Sequence, residues 1–142
     1  MVLNQGALDG RRTLSQAGME RMLANQIGSL PIPCLKTVAP PLTANVELFP
    51  GPRKSHSMAF MRFEEDIPSM HSAGSRGWAG VLNSRYLFDP QADVCAVLMT
   101  PSLPFCEPRF MSTYQQLEQA TYRQAAGIAA AGFPSPDGIM EK

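Results

Sequence analysis

Apolar positions along the chain follow two different periods, and proline keeps them apart. From Ser15 onward Met19, Met22, Leu23 and Ile27 recur at helical spacing, which predicts one apolar helix face. Ser15 suits the N-cap of that helix, because its hydroxyl can accept from an amide of the first turn, and Gly28 is placed to end it. Ahead of it, Met1, Val2 and Leu3 read as the end of a helix that stops at Asn4-Gln5-Gly6, so the chain is expected to start inside a domain. Leu8-Asp9-Gly10 reads as a turn. Between 29 and 57 stand Pro31, Pro33, Pro40, Pro41, Pro50 and Pro52, a density that no helix survives. Only 46–49 reads there as a short extended piece. A loop of that length in a compact domain points to function or to poor order.

The second period is that of strands. Segment 58–63 is short and apolar, 78–88 is rich in large and β-branched residues, and 94–100 is a near-continuous apolar run suited to a strand buried on both faces. Phe88-Asp89-Pro90-Gln91-Ala92-Asp93 predicts a hairpin turn between the last two, and Pro101 and Pro104 end the third. A terminal helix is predicted over 108–126, with Pro108 in its first turn and Phe110, Met111, Tyr114, Leu117 and Thr121 on one face. Residues 127–142, including Phe133-Pro134-Ser135-Pro136, read as a flexible tail. The order of elements predicts an α+β fold: a partial antiparallel sheet with a covering C-terminal helix, in one domain over 1–126.

Composition narrows the class of function. The 142 residues carry 12 Lys plus Arg against 12 Asp plus Glu, so there is no basic footprint for nucleic acid or for an acidic membrane surface. No apolar run approaches ~18 residues, and the first residues lack the basic and apolar regions of a signal peptide. Cys34, Cys95 and Cys106 are odd in number and have no metal-type spacing, which points away from a disulfide framework and a zinc site and toward a reducing, cytoplasmic setting. The nine methionines mostly coincide with apolar faces and are read as core filling.

The chemistry-bearing residues are sparse. A Ser-x-x-Lys pair would put hydroxyl and amine on one helical turn, where a neutral lysine can take the serine proton. No serine stands three residues before Lys36, Lys54 or Lys142, where Pro33, Gly51 and Ile139 are found. Tyr-x-Asn is absent as well. Gly74-Ser75-Arg76-Gly77 resembles half of a nucleophile elbow, but Ala73 stands where the pattern needs glycine, so a loop feeding a strand explains it better. His56 lies in a Pro/Gly/Ser loop and is expected to be solvated; His71, near the Gly-rich turn, could line a pocket. Glu64-Glu65-Asp66 reads as a solvated carboxylate run. Nothing in these residues calls for a metal or a cofactor.

Several stretches in order nevertheless resemble one family. Leu3-Asn4-Gln5-Gly6-Ala7-Leu8-Asp9-Gly10-Arg11-Arg12-Thr13-Leu14-Ser15, Asn25-Gln26-Ile27-Gly28, Glu47-Leu48-Phe49-Pro50-Gly51, Gly74 through Asn83, Phe88-Asp89-Pro90, Ala96-Val97-Leu98-Met99-Thr100 and Leu103-Pro104-Phe105 are similar to segments of the class C β-lactamase, esterase and lovastatin-type acyltransferase superfamily. The resemblance spans about 1–123 and implies an incomplete β-lactamase/transpeptidase-like fold. Trp78-Ala79-Gly80 matches the family's third motif in its Trp-x-Gly form, which the resemblance places on an edge strand beside the nucleophile. It implies substrate-binding roles: Gly80 admits a substrate close to the backbone, the Trp78 indole walls an acyl pocket, and the N–H of Ala79 or Gly80 helps form an oxyanion hole. His56-Ser57-Met58-Ala59-Phe60 departs from the Trp-Gly-Leu-Gly-Phe that relatives commonly carry there.

Such an enzyme forms an acyl-serine and passes the acyl group to water or an alcohol. This chain has no catalytic residue of that kind, so the resemblance implies a fragment without independent hydrolase activity. Three readings follow: a truncated gene with its nucleophile encoded upstream, a split or accessory half completed by a partner, and a non-catalytic binding module. An acyl ester or thioester is the implied substrate if an N-terminal half completes the site. Loss of upstream strands would leave a sheet edge exposed and open to association.

Overall fold

The computed structural model describes residues 1–48 and 51–131; Phe49, Pro50 and residues 132–142, with most of the expected tail, lie outside the described residues. Residues 1–6 close as a helix end does, as expected: Gly6 N donates to the Met1 carbonyl and Gln5 N to the Val2 carbonyl, both at 3.1 Å, the paired bonds of a helix C-cap. Gln5 and Gly6 take left-handed backbone angles, φ 49° and 90°, which no helix continues through. The carbonyl of Gly6 then accepts from both Thr13 N and Leu14 N, at 2.8 and 3.2 Å. A Cβ at residue 6 would stand 2.6 Å from the Leu14 carbonyl oxygen, so glycine is required there by space as well as by φ.

Strands β1 (Ala7–Leu8) and β2 (Arg11–Arg12) pair about Asp9 and Gly10, whose φ of 49° and 74° make the mirror-image turn that matches strand twist. Helix α1 runs Gln16–Leu23, and Gly18 N donates to Ser15 Oγ at 3.0 Å, as the capping pattern requires. It stops before Ile27. Asn25 offers the backbone an alternative: its Oδ1 accepts from Ile27 N and its Nδ2 donates to the Gly28 carbonyl.

Five strands follow in a single antiparallel meander, in the order of the chain: β3 (Lys54–His56), β4 (Met61–Phe63), β5 (Arg76–Ala79), β6 (Arg85–Asp89) and β7 (Val94–Leu98). Strand β3 lies inside the stretch that reads as loop. It forms because the last proline there, Pro52, precedes it and leaves 54–56 free to pair with β4. Helix α2 (Pro108–Ala131) closes the described chain, with Phe110 N donating to the Glu107 carboxylate at 2.8 Å at its start. It continues past residue 126. The architecture is α+β, as the pattern of elements predicts.

The sheet is covered on both faces because alternate residues of each strand point to opposite sides. Met19 and Leu23 of α1 pack with Phe88 on one face, joined by Leu14 and Phe60. Met61, Phe63 and Ile67 pack on the other with Tyr114 of α2. Gly77 pairs with Leu87 across β5 and β6, and a Cβ there would meet the Tyr86 carbonyl oxygen at 2.4 Å.

Beside that apolar contact of Tyr114, the seam between α2 and the sheet carries a row of buried polar groups. The sheet-facing stripe of α2 is therefore turned relative to the expected one: Leu117 is exposed, while Glu118 is buried against His71 and hydrogen-bonds its Nδ1. Arg85, also buried, lies over the rings of Tyr114, Phe105 and Phe110 at 4.9, 5.6 and 5.8 Å. Asp89 is fully buried and accepts from Ser72 N at 2.7 Å, Gln91 N at 3.0 Å, Ala92 N at 3.1 Å and Tyr122 Oη at 3.0 Å. Burial alone would raise its pKa, but the donors around the carboxylate outweigh burial and hold it below the ordinary value. Burial beside that carboxylate pushes the Tyr122 phenol far up.

Two outcomes follow. Gly77→Ala is expected to lower stability by about 1–3 kcal/mol, seen as a fall in thermal midpoint, because backbone must move to admit the methyl group. Asp89 has a depressed folded pKa, so its stabilisation is complete above the unfolded value of about 3.9 and is lost as pH falls through the folded value. Asp89→Asn should cost about 1–3 kcal/mol at neutral pH and flatten the loss of stability below pH about 4, measured as urea midpoints across a pH series.

Candidate functional site

The expected single strand over 78–88 is in fact the pair β5 and β6 with a tight loop between them. Asn83 N donates to the Gly80 carbonyl at 2.9 Å, Gly80 N donates to the Ser84 carbonyl at 2.8 Å, and Asn83 takes φ 61°. This is the three-residue hairpin loop that ends on a left-handed residue. Asparagine tolerates that conformation, and Gly80 with Asn83-Ser84 is the signal in the chain that marks it.

Asn83 also holds a neighbouring segment. It is fully buried, its Nδ2 donates to the carbonyls of Ser102 and Pro104 at 3.1 and 3.0 Å, and its Oδ1 accepts from Cys106 N at 2.9 Å. Phe105 is thereby placed beside the end of β5. Its own backbone bonds Leu42 and Ala44, both at 2.8 Å, and a bridge between Leu35 and Val46 steadies the same loop. The proline-rich stretch is thus an ordered wall over its described residues, stitched to the segment that follows β7.

A groove of about 240 Å³ opens between this wall and the sheet. Leu35, Val46, Leu48, Met61 and Phe105 make its apolar surface, and Ile32, Pro33, Glu47, Lys54, His56, Trp78 and Ala79 complete the lining. Trp78 is 49% exposed, and the His56 ring stands edge-on to it at 5.3 Å. His56 Nδ1 lies 2.6 Å from the Ser57 carbonyl oxygen, so this histidine is held in the groove wall and not free in solvent as expected. Lys54 Nζ donates to the Pro52 carbonyl at 2.9 Å. Burial pulls its pKa down, against the opposing pull of Glu47 and Glu65.

Of the three residues singled out in the sequence, Trp78 and Ala79 line the groove and Gly80 does not. Gly80 closes the hairpin, and its N–H is engaged by Ser84. Strand β5 is the third of five and not an edge strand, contrary to the expectation from the resemblance. The ladder with β4 ends at the Met61–Gly77 pair, however, so 78–79 extend beyond it. Since Gly80 N points to β6, alternation directs Ala79 N to the opposite, groove-side edge. His71 is elsewhere, paired with Glu118 beneath α2, and Ser75 is buried at the entry to β5. Among the described residues no three His, Cys, Asp or Glu side chains gather as a metal site requires. No helix among them is long and apolar enough to cross a membrane.

No protein-family model matches the chain, and no curated protein matches it. Solved structures do. Simvastatin synthase (LovD) from Aspergillus terreus, as the LovD6 mutant, superposes on 54% of this chain with a TM-score of 0.52 at 23% identity. The chain shares part of the fold of that protein. A second structure of simvastatin synthase, unliganded, covers 51% of the chain at 24% identity with a TM-score of 0.49. The match takes in 20% of the length of the first structure and 18% of the second. The fold is therefore of the β-lactamase-like kind that the resemblance implied, represented in part.

Asn83→Ala should remove the side-chain bonds to Ser102 and Pro104 and strand the Cys106 N–H. The expected cost is about 1–3 kcal/mol in chemical denaturation, with a change in Trp78 emission as the Phe105 wall loosens.

Proposed function

We propose that this chain supplies one wall of an acyl-transfer site of the β-lactamase-related serine hydrolase and acyltransferase type, and that it is not an active hydrolase by itself. The observation that carries the reading is the end of β5. Trp78 and Ala79 run past the end of β4 into an apolar groove, with the Ala79 N–H directed to the groove side. The family resemblance and the fold shared with part of simvastatin synthase support it.

In this reading the groove takes the hydrocarbon part of an acyl ester or thioester, with the Trp78 indole as one wall. Ala79 N is the oxyanion donor, because Gly80 N already serves the hairpin. Gly80 acts by letting the chain turn immediately after the donor. The 142 residues hold no Ser-x-x-Lys and no Tyr-x-Asn, so the nucleophile and its base must come from elsewhere. An oxyanion donor and a binding groove alone retain only a small part of such an enzyme's rate.

The missing pair favours an accessory or split half, completed by a chain that carries the serine, over a self-sufficient enzyme. A non-catalytic acyl-binding module is the second reading, favoured by the ordered wall of the groove. Co-purification with a serine-bearing hydrolase distinguishes the two. A cytoplasmic setting suits either.

The purified chain is expected to give no covalent adduct with a fluorophosphonate serine probe, read by intact mass; labelling of any serine would sink the proposal. Trp78 is the only tryptophan, so its emission reports on the groove. Titration with an octanoyl thioester should shift that emission, and Leu35→Asp, which puts a charge into the groove, should weaken binding about tenfold or more, ~1.4 kcal/mol. An unchanged titration would remove the groove from the reading.

A further inference from the structure

The polar side chains of the groove differ in how much of their hydrogen-bonding capacity the fold has already used. Lys54 and His56 stand two apart on β3 and both line the groove, while Ser55 between them is buried and bonded to the Glu64 carboxylate. Lys54 Nζ donates to the Pro52 carbonyl at 2.9 Å, and the negative charge of Glu47 favours its protonated form. His56 has a different standing, because the fold uses one of its ring nitrogens and leaves the other.

Nδ1 of His56 lies 2.6 Å from the Ser57 carbonyl oxygen, which can only accept, so Nδ1 carries the proton. That carbonyl belongs to a tight turn. Ser57 N donates to the Phe60 carbonyl at 2.8 Å, and Phe60 N donates to Ser57 Oγ at 3.0 Å. The imidazole is further fixed edge-on to Trp78, with ring centres 5.3 Å apart and planes at 83°. In the neutral ring Nε2 is then an obligate acceptor. No group among the described residues donates to it.

A hydrocarbon chain seated in the groove covers this nitrogen and strips its water. A plain chain gives nothing in return, whereas a hydroxyl on the chain donates to Nε2 and restores the lost bond. Resting on the acyl-groove reading above, we infer that the groove takes a hydroxyacyl ester or thioester, its carbonyl on Ala79 N–H and its hydroxyl on His56 Nε2. Trp78 keeps the two contacts within reach of one short ligand: Ala79 follows it in the chain, and His56 packs against its ring. Glu47 is the other side-chain acceptor on the groove, but its charge is engaged with Lys54. The pinned imidazole therefore sets which acyl chains the groove favours, a property that its apolar lining alone does not supply.

The test compares octanoyl thioester with both enantiomers of its 3-hydroxyoctanoyl counterpart, titrated into the whole chain and read by Trp78 emission and by calorimetry. One enantiomer of the hydroxylated ligand should bind about tenfold more tightly than octanoyl thioester. His56→Phe keeps a ring of similar size without the acceptor, and there the ratio of the two affinities should fall to about one. His56→Leu is the second variant, with the same expected ratio. Octanoyl binding with a ratio near one in the unmodified chain would overturn the inference and leave the groove in place. So would a preference that survives in both His56 variants, or one that Glu47→Gln abolishes and they do not. Absence of any response to octanoyl thioester removes the groove itself, and the inference falls with it.

Discussion

A single buried carboxylate organises the larger part of this molecule. Asp89 ends the strand β6 and is fully enclosed, a position where an unpaired negative charge could not persist. It is tolerated because four donors converge on it from three directions: the turn before β5 through Ser72, the β6–β7 loop through Gln91 and Ala92, and helix α2 through Tyr122. Each of those segments is fixed relative to the others by the same two oxygens. The His71–Glu118 pair and the Arg85 cation among aromatic rings extend this polar seam along the helix. A seam of that kind adds little net stability over a well-packed apolar one, but it allows few alternative positions for the helix.

Asn83 plays the corresponding part at the other end of the sheet. Its left-handed backbone closes the β5–β6 hairpin, while its side chain holds the segment that carries Phe105. The groove therefore depends on a residue that does not line it. The bridge between Leu35 and Val46 and the bonds of Phe105 to Leu42 and Ala44 turn a stretch without helix into a definite wall. Proline density there prevents helix formation, yet it does not prevent order, because the backbone finds partners outside regular structure.

The two sides of the sheet differ in character. On one, β4 ends early and exposes the last residues of β5 next to an apolar groove with Lys54, His56 and Glu47 at its margin. On the other, β7 carries no charge from Val94 to Leu98, and among the described residues no strand pairs with its outer edge. The chemistry of each side follows from where its neighbouring strand stops.

Local patterns in the sequence were enough to determine the Ser15 cap, the Asp9-Gly10 turn, a strand at β7, the long terminal helix and the α+β class, because each rests on contacts between residues near one another in the chain. The burial of β7 on both faces that its apolar run predicted is not found, since Cys95 and Val97 are exposed on one face. The order of short motifs likewise pointed to the β-lactamase-like fold. Only the tertiary structure decided the rest. Whether 78–88 was one strand or two turned on the conformation of Asn83 and its bonds to residues about twenty positions away. Which stripe of α2 met the sheet turned on Glu118 and Tyr122 finding His71 and Asp89, since a polar residue is read as outward until its buried partner is known. The placement of His56 in the groove and of Gly80 outside it depended on strand register, a property of paired chains that no single segment contains.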